Sequence, residues 1–218
     1  MMENQLIENT KRFVKHVLKD AEGGHDWFHT ERVYKNAIKI AKGEAVDMRI
    51  VALAALLHDI ADSKFHNGDE TIGPRMAREF LFQQNVDSAV IEHVVQIIKH
   101  MSFKNSLENK ETFESMELFV VRDADRLDAM GAIGIARSFN YGGFKNRMLY
   151  DPSVKPNLQM NKADYKSSTA PTINHFYEKL LLLKDRMHTK TAKKMAKERH
   201  DYMESFLKQF YAEWDGMA

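Results

Sequence analysis

Residues 50–57 are an unbroken apolar run, Ile-Val-Ala-Leu-Ala-Ala-Leu-Leu, which stops at His58-Asp59. A helix that is apolar all round has no solvent face, so this one must lie at the centre of whatever bundle the chain forms. The polar pair at its end is drawn inward with it. An ionised carboxylate buried without a partner is strongly unfavourable. A metal ion is the simplest compensation, provided that other parts of the chain bring further ligands.

The surrounding pattern is helical. Gly (10) and Pro (4) are sparse in 218 residues, which favours helix over sheet, and the length suffices for a sizeable core. Apolar periodicity predicts a helix over 3–20, ended by Gly23-Gly24, and a second through about Lys42 with Val33, Ala37 and Ile40 inside. His29 lies one turn before Val33 and so points inward too. Asp47 is the expected N-cap of the central helix, 48–60, and Asp87 that of a helix over 88–100. Between them, 71–84 is helical, with Pro74 in its first turn. A sixth helix, about 114–130, ends in Asp123-Ala124-Asp125-Arg126-Leu127-Asp128, and 131–141 continue helically to Gly142-Gly143. Residues 118–121 could pair as a buried strand, but nothing nearby offers a partner, so helix is preferred. From 144 to 171 the pattern lapses into a long basic loop. Thr172 should cap a helix over 173–187 and Thr189 a last one to about Glu213. The expectation is all-α: one domain spanning 1–218, with a helical core over about 20–140 and a C-terminal helical pair over about 172–214.

The chain has no cysteine, so a metal must be held by His and carboxylates. The inward-facing residues of that kind are His29, His58, Asp59 and Asp125. Two His and two Asp carry −2 together and suit one divalent cation: Mn²⁺, Fe²⁺, Zn²⁺, Ni²⁺ or Mg²⁺, with the histidines arguing against Mg²⁺ alone. Ligand positions left to water would make the site catalytic. His93 and His100 share an apolar face and are expected to be hydrogen-bonded core histidines.

In order and approximate spacing, His29, His58-Asp59 and Asp125 resemble the H…HD…D signature of the HD-domain metal-dependent phosphohydrolases. The flanking segments His25-Asp26-Trp27-Phe28-His29-Thr30-Glu31-Arg32-Val33 and Asp123 to Asp128 are similar to that family's first and last motifs. The likeness covers about residues 20–140. Within the YpgQ/YedJ-like branch it extends through Ala132 to Arg137 and Ile173 to Leu180. The resemblance implies an HD-type helical bundle with a C-terminal helical extension, one divalent metal on His29, His58, Asp59 and Asp125, and hydrolysis of a phosphate ester or anhydride. It also implies that Asp62 handles the attacking water, that Asp123 or Asp128 supports the ligands from behind, and that the activity is that of a nucleoside triphosphate pyrophosphohydrolase, with Mn²⁺ favoured.

Phosphate charge calls for cations, and Arg32, Lys64, His100 and Arg137 are the candidates, with Lys104 a further one. The rival readings are a phosphodiesterase or 5′-nucleotidase on the same metal, and a nucleotide-binding module without turnover. A net charge of +1 gives no general pull toward nucleic acid or anionic membrane, and the basic run at 190–199 reads as the solvated face of a long helix. The N-terminus lacks a signal-peptide pattern and no apolar run spans a membrane, so a cytoplasmic location is expected. Tyr211 and Trp214, read as exposed aromatics of the last helix, offer a homodimer contact.

Overall fold

The computed structural model describes residues 2–21, 24, 26–61, 69–101, 113–159 and 168–217. Among these the chain is all helical, with no strand. It divides into two compact units, Met1–Asp125 and Arg126–Ala218.

The first unit holds α1 (Met2–Val17), α2 (Trp27–Ala41), α3 (Met48–Leu57), α4 (Ile72–Gln83), α5 (Ser88–His100) and most of α6 (Met116–Asp128). Every residue of α3 from Ile50 to Leu57 is buried. α3 packs against α1, α2 and α5, the central place its composition demands. Its start is capped as expected: the Asp47 carboxylate accepts from the backbone N–H groups of Arg49 and Ile50. It is shorter than the predicted 48–60, because the helix stops at Leu57 and His58 is its C-cap. The carbonyls of a last turn have no partner within the helix. Here the His58 ring takes that of Ala55. Asp87 caps α5 through the N–H of Ala89. The 118–121 segment is helical, its start capped by Ser115 Oγ, which accepts from Leu118 N–H at 3.1 Å.

The second unit begins with the last residues of α6. α7 (Gly131–Phe144), α8 (Asn174–Glu178), a 3₁₀ segment (Leu180–Arg186) and α9 (Lys190–Trp214) follow. The expected continuation through 131 is broken by a turn in which Gly131 takes φ +68°, a conformation costly for residues with a Cβ. At the other end α7 runs on through Gly142 and Gly143. A Cβ on Gly142 would lie 2.1 Å from Thr172 Oγ1. The predicted 173–187 helix is split at Lys179, which takes φ −143°, ψ −57°. Beyond it, the buried Leu180 and Leu183 stand three apart, the repeat that lines up one face of a 3₁₀ helix. Thr172 is not the cap: the N-cap is Ile173, and Thr172 Oγ1 is buried without a hydrogen bond among the described residues. Thr189 does cap α9, accepting from Ala192 N–H.

Rings of α7, α8 and α9 form the aromatic core of this unit, with Phe176 stacked on Phe206 and Phe139 beside both. Tyr211 is not the exposed ring expected of it. It is half-buried, its hydroxyl donates to that of Tyr177 at 3.2 Å, and burial pushes its phenol upward. Trp214 is exposed on one side and stacked on Phe210. No helix among the described residues is long and apolar enough to cross a membrane.

Candidate metal centre

His29 reaches the interior because of how α2 starts. Asp26 is its N-cap, and the Asp26 carboxylate accepts the backbone N–H of His29 at 2.8 Å. That bond satisfies an otherwise unpaired first-turn donor and sets the direction in which the His29 ring leaves the helix. The ring is buried (2 % exposed), and Nε2 lies 3.5 Å from Oδ1 of Asp125 on α6. His25, the first residue of the segment similar to the family's first motif, lies outside the described residues.

His58 comes from the end of α3. Its ring meets that of His29 edge-on, with centroids 5.5 Å apart. His58 Nδ1 is 2.9 Å from the Ala55 carbonyl, which can only accept. The proton is therefore assigned to Nδ1, and the lone pair of Nε2 is left for a metal.

His29, His58 and Asp125 each offer one ligand atom, all within 4.8 Å of one another. Small rotations bring such atoms to metal–ligand distances of about 2.0–2.2 Å. The Asp125 side chain is 43 % exposed, so the group opens to solvent on its side. Asp59 is not in this trio. Its Oδ2 is a buried oxygen with no hydrogen-bond donor among the described residues, although the residue is otherwise engaged. A cation would satisfy that oxygen. Two imidazoles and carboxylate oxygens fit a divalent metal of the first transition row.

The remaining candidates separate. Arg32, one turn beyond His29 on α2, is half-buried and engaged. Asp62, Lys64 and Lys104 lie outside the described residues. His100 donates from Nδ1 to the Gln96 carbonyl at 2.8 Å, and Arg122 holds the His100 carbonyl at 2.6 Å. His93 is a bonded histidine, with Nε2 2.9 Å from Ser115 Oγ and 3.5 Å from Glu117. Arg137 belongs to the second unit, where it donates to the buried Asp128 at 2.8 Å. Asp128, expected to support the ligands from behind, is thus the partner of an arginine in that unit. Asp123 is fully buried and engaged. Sequence reasoning overlooked Arg122, whose burial shows only when α5 and α6 are packed together.

Comparison with known proteins agrees with this geometry. The HD domain family model matches residues 27–130, which contain all four expected ligands. The protein YpgQ of Bacillus subtilis is 37 % identical over the whole chain and 98 % of its own length. An HD-superfamily hydrolase from Bacillus thuringiensis has a crystal structure with TM-score 0.79 at 43 % identity, covering 98 % of both chains. The crystal structure of YpgQ in complex with ADP gives TM-score 0.76 at 34 % identity, over 98 % of this chain and 97 % of that one. With the histidine–carboxylate group assembled and these likenesses running the length of the molecule, the chain belongs to the HD-domain family and is a metal-dependent phosphohydrolase.

Proposed function

We propose that this hydrolase cleaves nucleoside triphosphates, ribo or deoxy, to the monophosphate and pyrophosphate. The observation that carries the reading is the His29–His58–Asp125 group, open to solvent on one side, in a chain similar from end to end to a protein crystallised with ADP. A nucleotide ligand there supports a nucleotide substrate here.

His29, His58 and Asp125, joined by Asp59, would hold one divalent ion, with Mn²⁺ proposed. A bound ion supplies Lewis-acid chemistry, lowering the pKa of water and drawing charge from a phosphoryl oxygen. Asp62 is proposed to orient that water and accept its proton. The water oxygen bonds to the α-phosphorus, the bond to the α,β-bridging oxygen breaks, and the electron pair leaves with pyrophosphate. Arg32, Lys64 and His100 would meet the triphosphate charge, His100 through Nε2, since Nδ1 is committed to Gln96. Arg137 is already bonded to Asp128 and would serve only with the donors that pair leaves over.

A panel of divalent metals against nucleotides, read by product identity, tests this. Pyrophosphate with a monophosphate, in about equal amounts, is the expected result. Inorganic phosphate from mono- or diphosphates makes the protein a nucleotidase, and cleavage confined to diesters makes it a phosphodiesterase. Protein loaded with Mn²⁺ that leaves the whole panel intact is a binding module.

A further inference from the structure

Phe28 stands one residue before His29 in the first turn of α2 and is 62 % exposed. A single exposed apolar side chain is ordinary on any surface. Its position is what distinguishes this one. The neighbouring Trp27 is used locally, with the Lys15 ammonium 4.6 Å from its ring centroid. Phe28 takes part in no ring contact or ion pair among the described residues. Helical geometry sets it about 100° around the axis from His29, so the ring stays outside while the imidazole points in. Four residues on, the same stripe carries Arg32. The outer surface of this turn therefore presents a flat apolar ring next to the backbone that holds a metal ligand, with the half-buried Arg32 one turn further on. The helix is anchored by the Asp26 cap, so the ring is displayed on a rigid element.

Resting on the nucleotide reading of the metal centre, we infer that Phe28 is a stacking platform for the nucleobase and a specificity-determining residue. Phe28 and His29 are consecutive, with Cα atoms about 3.8 Å apart, so a base on that ring would be in reach of phosphates held at the metal group. Stacking on a π face accepts every base. The inferred substrate class is therefore nucleoside polyphosphates with little preference among bases, favoured over inorganic polyphosphate of the same charge.

The test uses the full chain loaded with Mn²⁺ and calorimetric titration with two probes: a non-hydrolysable α,β-methylene nucleoside triphosphate and inorganic tripolyphosphate. Phe28→Ala is expected to weaken the nucleotide analogue roughly ten-fold and to leave tripolyphosphate within about two-fold. Phe28→Tyr and Phe28→Trp are expected to restore nucleotide affinity. Because the ring is exposed, metal stoichiometry and melting temperature should not move in any variant. Unchanged nucleotide affinity in Phe28→Ala overturns the inference, as does an equal loss for both probes. The binding arms stand apart from turnover: a Phe28-dependent affinity in a protein that cleaves no nucleotide upholds the platform and sinks the hydrolytic reading. Cleavage of nucleotides with affinity indifferent to Phe28 does the reverse.

Discussion

The chemistry of a single side chain here is set by atoms some distance away in sequence or in space. His58 shows both. A carbonyl three residues back accepts a hydrogen bond from its Nδ1–H, and the ring of His29, from another helix, lies against it. The first contact follows from the helix ending where it does; the second needs the packed bundle. His58→Ala removes one ligand from the trio and leaves a partly exposed position at a helix end. Mn²⁺ content by elemental analysis should fall from near one per chain to under a tenth, with hydrolysis lost and the melting temperature of the metal-free protein little changed. Full metal content in this variant would overturn the site. The residue types proposed as ligands were picked out of the sequence because His and Asp beside core positions need compensation, although Asp125 is 43 % exposed. Their companions were not: Arg137 looked like a free cation beside a motif, and only packing shows it bonded to Asp128.

At the scale of elements, most caps were readable and breaks were not. Asp47, Asp87 and Thr189 each hold a first-turn N–H, as short polar residues before an apolar run should, whereas Thr172 does not and Asp26 does so unforeseen. The break at Lys179 and the turn at Gly131 left little trace in a periodic pattern, since both flanking segments are good helix formers. The approach of Thr172 to α7 likewise depends on which helix passes beside it. Gly142→Ala should drive a methyl against Thr172 Oγ1 and cost about 1–3 kcal/mol in urea unfolding. Thr172→Ala removes the obstructing oxygen, so the double variant should recover at least half of that loss. Strict additivity of the two changes would show that the contact is not what makes the glycine necessary.

For the molecule as a whole, the division into two compact units allows unfolding to be followed in each by its own probe. The tryptophans divide between them, Trp27 in the first and Trp214 in the second, so Trp27→Phe leaves fluorescence reporting the second unit alone. That unit carries a pH dependence. Burial, with the charges of Lys179 and Arg147 adding to it, lowers His175 from its ordinary 6.5 to about 3. Above 6.5 neither the folded nor the unfolded chain protonates it, and its contribution is constant. Below 6.5 the unfolded chain takes the proton first, so stability falls with each step down until the folded group titrates near 3. Between pH 7 and 5 the second unit should lose about 2 kcal/mol through this group. His175→Gln should flatten that part of the slope, and an identical slope in variant and parent would refute the assignment.

What the sequence determined by itself is local. Apolar periodicity and caps specify where most helices run, an all-apolar segment specifies which one is central, and the absence of cysteine limits any metal to His and carboxylate. Those properties depend on neighbours within a turn or two, which the chain carries in order. Tertiary structure alone decided that His29, His58 and Asp125 come within 4.8 Å of one another while Asp59 stands outside the trio. It also decided that Arg137 is bound to Asp128 and that Tyr211 turns inward to Tyr177. Such facts depend on the packing of segments far apart in the chain. The free energy of that packing is summed over the whole core and written at no single position.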